Sequence, residues 1–262
     1  MSSTTSADVI NEAIADPAPK MQVSLDNTVT LMRGLWNPNT EKFETLATVK
    51  ELTGSDEEFL ASFESKPNTS YGDFLSAVLG RAVVSIGDIP IKSGKDLGNL
   101  IVGDRDLLFL QAIRTTYGTE KTVQVTCSSC RKSNDVVVEL DEDFPSKLPD
   151  FDIYAPLVVE GKRTVYRFNI PTLDSLTAAS LAKTSAESNS LVISKSAVFE
   201  EDEAPADRLL WARGISTSDR HKIIDLLLSV ELGPTLEEVE THCAHCEKEM
   251  TIALNWVSLL LD

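Results

Sequence analysis

The sequence predicts an α+β fold: an N-terminal β-hairpin and a helical part, joined to a β-rich part built around a four-cysteine zinc ribbon with a large insertion. Three observations predict it. Two strand-like runs, TVTLMRGL (Thr28 to Leu35) and FETLATV (Phe43 to Val49), are joined by the turn-rich link WNPNTEK. Apolar residues then recur at helical spacing between Ser55 and Gly118. Finally, all four cysteines fall into two Cys-x-x-Cys pairs, each followed by an apolar strand-like run.

The composition sets the bounds. The chain has 262 residues, 42% of them hydrophobic, enough to bury a core in one large domain or two modest ones. No apolar run approaches the roughly 20 residues of a membrane span. Met1 to Lys20 lacks a basic n-region and an apolar h-region, so it is read as no signal peptide, and the protein is expected to be soluble. With 24 Lys+Arg against 41 Asp+Glu, the net charge is −17. Phosphate backbones and anionic lipid repel such a surface. Lys92, Lys95 and Arg105, beside Asp96, Asp104 and Asp106, are read as a solvated surface and not as a phosphate track.

Residues 1–26 are rich in Ser, Thr, Ala and Pro without an apolar period and read as a flexible arm. After the hairpin, Ser55 is an expected helix N-cap, with Glu58 at the capping-box position and a stop before Lys66-Pro67-Asn68. A second helix from about Tyr71 carries Phe74, Leu75, Val78, Leu79, Ala82 and Val83 on one face. A loop from Gly87 to Leu100 follows. The next helix, in GDRDLLFLQAIRTTYG, is expected to be capped by Asp104 and ended by Gly118.

Strands are expected at Thr122 to Thr126, Asp135 to Leu140, Phe151 to Val159 and Arg163 to Ile170. Thr172 or Asp174 opens a helix after Pro171. Ser185 to Glu203 is ambiguous, with SLVISKSAVF strand-like between polar flanks. Leu209 to Ala212 and Ser218 to Val230 read as helical, Gly233-Pro234 breaks the chain, and Met250 to Trp256 reads as a last strand.

The cysteines carry the sharpest chemistry. In a chain without a secretory leader, thiols are expected to stay reduced, which argues against a disulfide framework. Two thiols three positions apart at a tight turn can both face one ion, and two such knuckles complete a tetrahedral site. TCSSCRKSNDVVVEL and HCAHCEKEMTIALNW repeat the same order of knuckle, short link with a lysine, and apolar strand. Cys127, Cys130, Cys243 and Cys246 are therefore the expected ligands of about one structural Zn2+ per chain, in a zinc ribbon with four thiolate ligands. Redox-active pairs, buried free thiols and an iron–sulfur cluster are the other readings. Roughly 110 residues separate the knuckles, so residues 131–242 are expected to form a large insertion in the ribbon, or a subdomain closed off by it. His242 and His245 flank the second pair and are expected on the exposed knuckle loop, as is His221 at a helix surface.

No Gly-x-Gly-x-x-Gly, P-loop, His-Glu-x-x-His or Gly-x-Ser-x-Gly occurs, and three histidines leave little general-base material. Asp104-Arg105-Asp106 is read as helix capping, Glu200 to Glu203 as a solvated loop, and Trp36, Trp211 and Trp256 as core or interface anchors. No catalytic residues and no small-molecule substrate are expected.

From Glu51 to Leu140 the chain resembles the baseplate hub family of T-even, contractile-tailed phages, which includes hub and hub-assembly proteins. SDEEFL (Ser55 to Leu60), LSAVLGRAVV (Leu75 to Val84), GDRDLLFLQAIRTTYG (Gly103 to Gly118) and the knuckle TCSSC (Thr126 to Cys130) carry the resemblance. FNIPTLDSL (Phe168 to Leu176) extends it; the arm and the acidic stretch near Glu200 lie outside it. The resemblance implies a non-enzymatic tail protein, either a structural part of the hub or an assembly factor. It implies binding to other hub proteins or the tape-measure protein, and a location in the virion baseplate and in host cytoplasm during assembly. The alternative class is a zinc-ribbon accessory protein of nucleic-acid transactions, which −17 opposes. The expected organisation is thus an arm at 1–26, a hairpin plus helical part at 27–120, and a zinc-ribbon part at 121–262.

Overall fold

The computed structural model describes residues 27–64, 71–199, 204–236, 238–254 and 256–261. The expected arm, the Lys66-Pro67-Asn68 stop and the acidic run at 200–203 lie outside the described residues. The chain is mixed α and β. Its strands are β1 (Thr28–Asn37), β2 (Lys42–Val49), β3 (Val83–Ile86), β4 (Ile89–Pro90), β5 (Glu120–Thr126) and β6 (Ser133–Glu139). They continue with β7 (Ser146–Lys147), β8 (Leu157–Glu160), β9 (Val165–Phe168), β10 (Gly233–Pro234), β11 (Glu238–His242) and β12 (Glu249–Ala253). The helices are α1 (Gly54–Glu64), α2 (Tyr71–Ala82), α3 (Val102–Tyr117), α4 (Leu173–Ser180), α5 (Ser185–Ser196), α6 (Pro205–Gly214), α7 (Thr217–Ser229) and α8 (Trp256–Leu261).

The expected hairpin is β1–β2, antiparallel from Thr28↔Thr48 to Asn37↔Lys42. It grows into a four-stranded sheet in the order β1-β2-β3-β4. Val83 therefore begins a strand instead of ending α2, and part of the expected loop after Gly87 pairs as β4. The β1–β2 register breaks between Thr30 and Leu35. Such a bulge frees backbone N–H groups from the ladder, and they need other partners. Gly34 sits there at φ +76°, and a Cβ on it would collide with the Glu44 carbonyl.

Helix α1 is capped two residues before the expected position. Thr53 takes that role: its N–H and hydroxyl donate to Asp56 Oδ2 at 3.0 and 2.8 Å, while Asp56 N–H donates to the Thr53 carbonyl at 2.8 Å. Leu75, Val78, Leu79 and Ala82 of α2 meet Leu108, Phe109, Ala112 and Ile113 of α3 in the first core, all fully buried. Gly118 ends α3 as expected, its N–H donating to the Arg114 carbonyl at 2.9 Å.

The same core takes side chains from later in the chain, including Val123, Val136, Ile252, Trp256 and Leu259. Trp256 does not end a strand: β12 stops at Ala253 and Trp256 opens α8. Its ring, 2% exposed, stacks on Phe109 at 6.0 Å. The apolar run WVSLLL supports a helix as readily as a strand, and burial against α3 decides it.

A second core lies wholly within residues 131–242, where Val159, Phe168, Ile193, Ala212, Ile223 and Leu227 pack together. Residues 151–156, expected as strand, form turns, and the β8–β9 hairpin is shorter than its apolar pattern suggests. The ambiguous segment from Ser185 is helical to Ser196. Thr184 Oγ1 accepts the Glu187 N–H at 3.2 Å and Glu187 Oε2 accepts the Lys183 N–H at 3.0 Å, so local capping overrides the β propensity of Val192 and Ile193. Residues 131–242 are tied to the segment before α3 by the Ile101↔Thr172 bridge and by Leu173 N–H donating to Leu100 O at 2.9 Å. The β7–β10 pair lies within residues 131–242, and Gly233 of β10 packs directly on Gly103 of α3.

Candidate metal centre

The two cysteine pairs occupy the turns of two hairpins. In the first, β5 and β6 pair from Glu120↔Glu139 to Thr126↔Ser133, leaving residues 127–132 as the knuckle. In the second, β11 and β12 pair from Glu238↔Ala253 to His242↔Glu249, leaving 243–248. The backbone repeats bond for bond. Cys127 N–H donates to Lys132 O and Arg131 N–H to Cys127 O, both at 2.9 Å; Cys243 with Lys248, and Glu247 with Cys243, do the same at 2.9 Å. Arg131 and Glu247 occupy equivalent left-handed positions at φ 59° and 58°.

Across this pseudo-symmetry the thiols converge. Cys127 Sγ lies 3.8 Å from Cys246 Sγ, and Cys130 Sγ lies 3.6 Å from Cys243 Sγ. All four sulfurs lie within 4.8 Å of one another, and together with Met250 they form their own small buried cluster. Four sulfurs about 2.3 Å from a tetrahedral ion stand about 3.8 Å apart, so this quartet fits such an ion with little adjustment. The four thiols could hold one metal ion.

Their electrostatics point the same way. The N–H groups of Cys130 and Ser129 hold the Cys127 thiol below its ordinary value. Burial pushes Cys243 up, but N–H donation from His245 and Cys246, with the neighbouring thiols of Cys130 and Cys246, outweighs it and holds Cys243 at about 6. Lys248 N–H pulls Cys246 down, yet burial and the three neighbouring thiols push it up to about 11. Thiols this close cannot all ionise by themselves, whereas a cation among them lets all four become thiolates.

Asn134 ties the halves together. Its Oδ1 accepts the Ala244 N–H at 2.9 Å, and its Nδ2 donates to Lys132 O at 3.1 Å and faces Met250 Sδ at 3.9 Å. Asn134 was not singled out by sequence reasoning. The signal was the repeat itself, in which Asn134 and Met250 hold equivalent positions four residues after the second cysteine of each pair. His245 is exposed on the second knuckle as expected, its Nε2 3.2 Å from Ser133 O, whereas His242, also exposed, is the last residue of β11, paired with Glu249; His221 is exposed on α7.

The Asp104-Arg105-Asp106 segment is not the solvated cap expected. Asp104 is fully buried inside α3, whose N-cap position is Ile101. Its carboxylate accepts the N–H groups of Met32 at 2.6 Å, Arg33 at 3.2 Å and Gly34 at 2.8 Å, the groups freed by the β1 bulge. Burial holds Asp104 above the usual carboxylate range, against the pull of those N–H groups and of the Arg33 guanidinium. Asp106 is buried too and pairs with Arg105 at 2.7 Å. Among the tryptophans, Trp256 is a core residue as expected, while Trp36 is 47% exposed.

No helix among the described residues is long and apolar enough to cross a membrane. Compared with protein families, the chain matches the one described as "T4 bacteriophage base plate protein" over residues 44–258. That span covers both cysteine pairs, the central helix and all of residues 131–242. Searches of curated proteins and of solved structures found no match.

Proposed function

We propose that this chain, which belongs to the T4 bacteriophage base plate protein family, is a non-enzymatic structural or assembly protein of the baseplate hub, its core stapled by zinc on Cys127, Cys130, Cys243 and Cys246. The family match over residues 44–258 carries the reading. The organisation into residues 27–120 and 121–262, with 131–242 as an insertion, belongs to the same proposal; the separate core inside the insertion supports it.

Zinc bound by four thiolates supplies no reactive position; it links segments of the chain. Here it would join β5–β6 to β11–β12, hairpins roughly 110 residues apart, and so close the loop that the insertion forms. Asn134 and the N–H donors to sulfur hold the four ligands ready in the folded chain. A stapled core that presents a large insertion suits a protein whose work is contact with other tail proteins. Its partners in this reading are other hub proteins and the tape-measure protein, in host cytoplasm during assembly and in the virion afterwards.

The test is mass spectrometry of density-purified virions. Peptides of this chain at fixed ratio to known tail proteins support a built-in hub component. Absence from particles together with abundance in the infected lysate supports an assembly factor that leaves. Absence from both overturns the proposal.

A further inference from the structure

The seam between the first sheet and the insertion holds a cavity of about 280 Å³, walled by Arg33, Trp36 and Phe43 from β1–β2 and by Tyr154, Lys195 and Ser196 from the insertion. A second cavity of about 500 Å³ shares Asn99, Thr172 and Lys195 with it and adds Arg208, so the two form one cleft. On a chain of net charge −17, the described residues give the first cavity two cations and no carboxylate on its wall, and the second Asp174 alone.

The cleft also collects unmet polar demand. Among the described residues, the buried side-chain atoms Arg33 Nε, Ser196 Oγ and Arg208 Nε lack a hydrogen-bond partner, and all three belong to residues on these walls. Arg33 is only 8% exposed and Ser196 3%. A guanidinium has five N–H donors; that of Arg33 spends one on Asn99 O at 2.6 Å and lies over the Phe43 ring at 5.8 Å. Asp104 attracts this guanidinium from inside the fold, but no described group accepts from its Nε, and a buried donor left unmet is costly. The rim is aromatic: Trp36 and Tyr154, 47% and 52% exposed, flank Phe43 at 5.2 and 5.1 Å.

The geometry points to a recognition cleft for an acidic segment of another polypeptide, a carboxylate entering between Arg33 and Lys195 and an adjoining apolar side chain lying on Trp36 and Tyr154. Carboxylate recognition by Arg and exposed aromatic anchors are the two features that concentrate binding energy at protein contacts. The inference deepens the reading of the chain as a protein that binds other tail proteins, and rests on it for the nature of the partner.

The test is NMR titration of the full chain, following the indole N–H of Trp36, assigned with Trp36→Phe. The probes are N-acetyl-Leu-Glu-Phe amide, its Gln counterpart and inorganic phosphate. The Glu peptide is expected to give a saturable shift that is roughly tenfold weaker with the Gln peptide. It should weaken similarly in Lys195→Glu, an exposed position that leaves the core intact; Arg33→Gln is read only if it folds. No shift, equal shifts with Glu and Gln, or an unchanged affinity in Lys195→Glu overturns the cleft. Phosphate that shifts Trp36 as strongly as the Glu peptide and competes with it makes the site a free-oxyanion pocket, and overturns the polypeptide partner. Because the assay uses purified protein, a failed titration leaves the virion result untouched, and absence from virions leaves the cleft standing.

Discussion

Asp104 accepts the backbone N–H of Gly34 at 2.8 Å across 70 residues of sequence. With Met32 and Arg33 donating to the same carboxylate, one side chain of the central helix completes the hydrogen bonding of an interrupted strand. The bulge, the left-handed glycine and the buried acid are thus one construction. It also sets the position of Arg33, whose side chain reaches the cleft wall.

Asp104→Ala leaves those N–H groups buried without an acceptor. Each costs about 1–3 kcal/mol, so the variant should lose at least about 2 kcal/mol in urea denaturation. Asp104→Asn should also destabilise, because the amide presents donors where only acceptors fit.

The chain returns to the central helix at Gly233 through a backbone contact with no room for a side chain. Gly233 has φ +92°, and a Cβ there would stand 2.6 Å from the Cα of Gly103. Gly233→Ala combines strain with overpacking, each about 1–3 kcal/mol. Thermal unfolding should show a clear loss, larger than that of an exposed Gly214→Ala, where nothing lies within 4 Å.

Acid sensitivity should be traceable to Asp56. Burial pushes this carboxyl up, but the Thr53 N–H and hydroxyl with Lys50 and Arg81 outweigh it, and the group ends below its ordinary 3.8. An acid with a depressed folded-state pKa contributes stability that is full above its unfolded value and lost as pH falls through the folded one. Asp56→Asn should therefore be less stable than the parent at pH 7. The gap should shrink as the pH drops below about 4; denaturation across pH 3–7 measures it.

The hairpin and the helices of the first core were legible in the sequence because their faces repeat at fixed periods: Leu75, Val78, Leu79 and Ala82 declare one side of α2 wherever it packs. The cysteine quartet was legible for another reason. Two pairs with the same spacing and flanks describe the same knuckle twice, and one ion needs both. Asp104 was misread because its partners lie 70 residues upstream at a bulge that local pattern does not announce. Helix α5 was ambiguous although Thr184 and Glu187 spell a capping box before it, a signal that weighs more than the β-branched residues after it. The cleft was out of reach, since Arg33, Lys195 and Ser196 meet only once the insertion has folded back.

Each knuckle should depend on the other. Cys127→Ser and Cys243→Ser should each lose the metal and much of the stability, because binding the ion is linked to folding. His245→Ala, on an exposed side chain outside the quartet, should keep both. Metal content by mass spectrometry and thermal unfolding of the same samples check this pair of outcomes.

The most direct measurement of the central claim is zinc K-edge X-ray absorption with metal quantification on the purified full chain. About one zinc per chain is expected, bound by four sulfurs at about 2.3 Å. A metal-free folded chain, or a first shell containing nitrogen or oxygen, would contradict the shared four-cysteine staple.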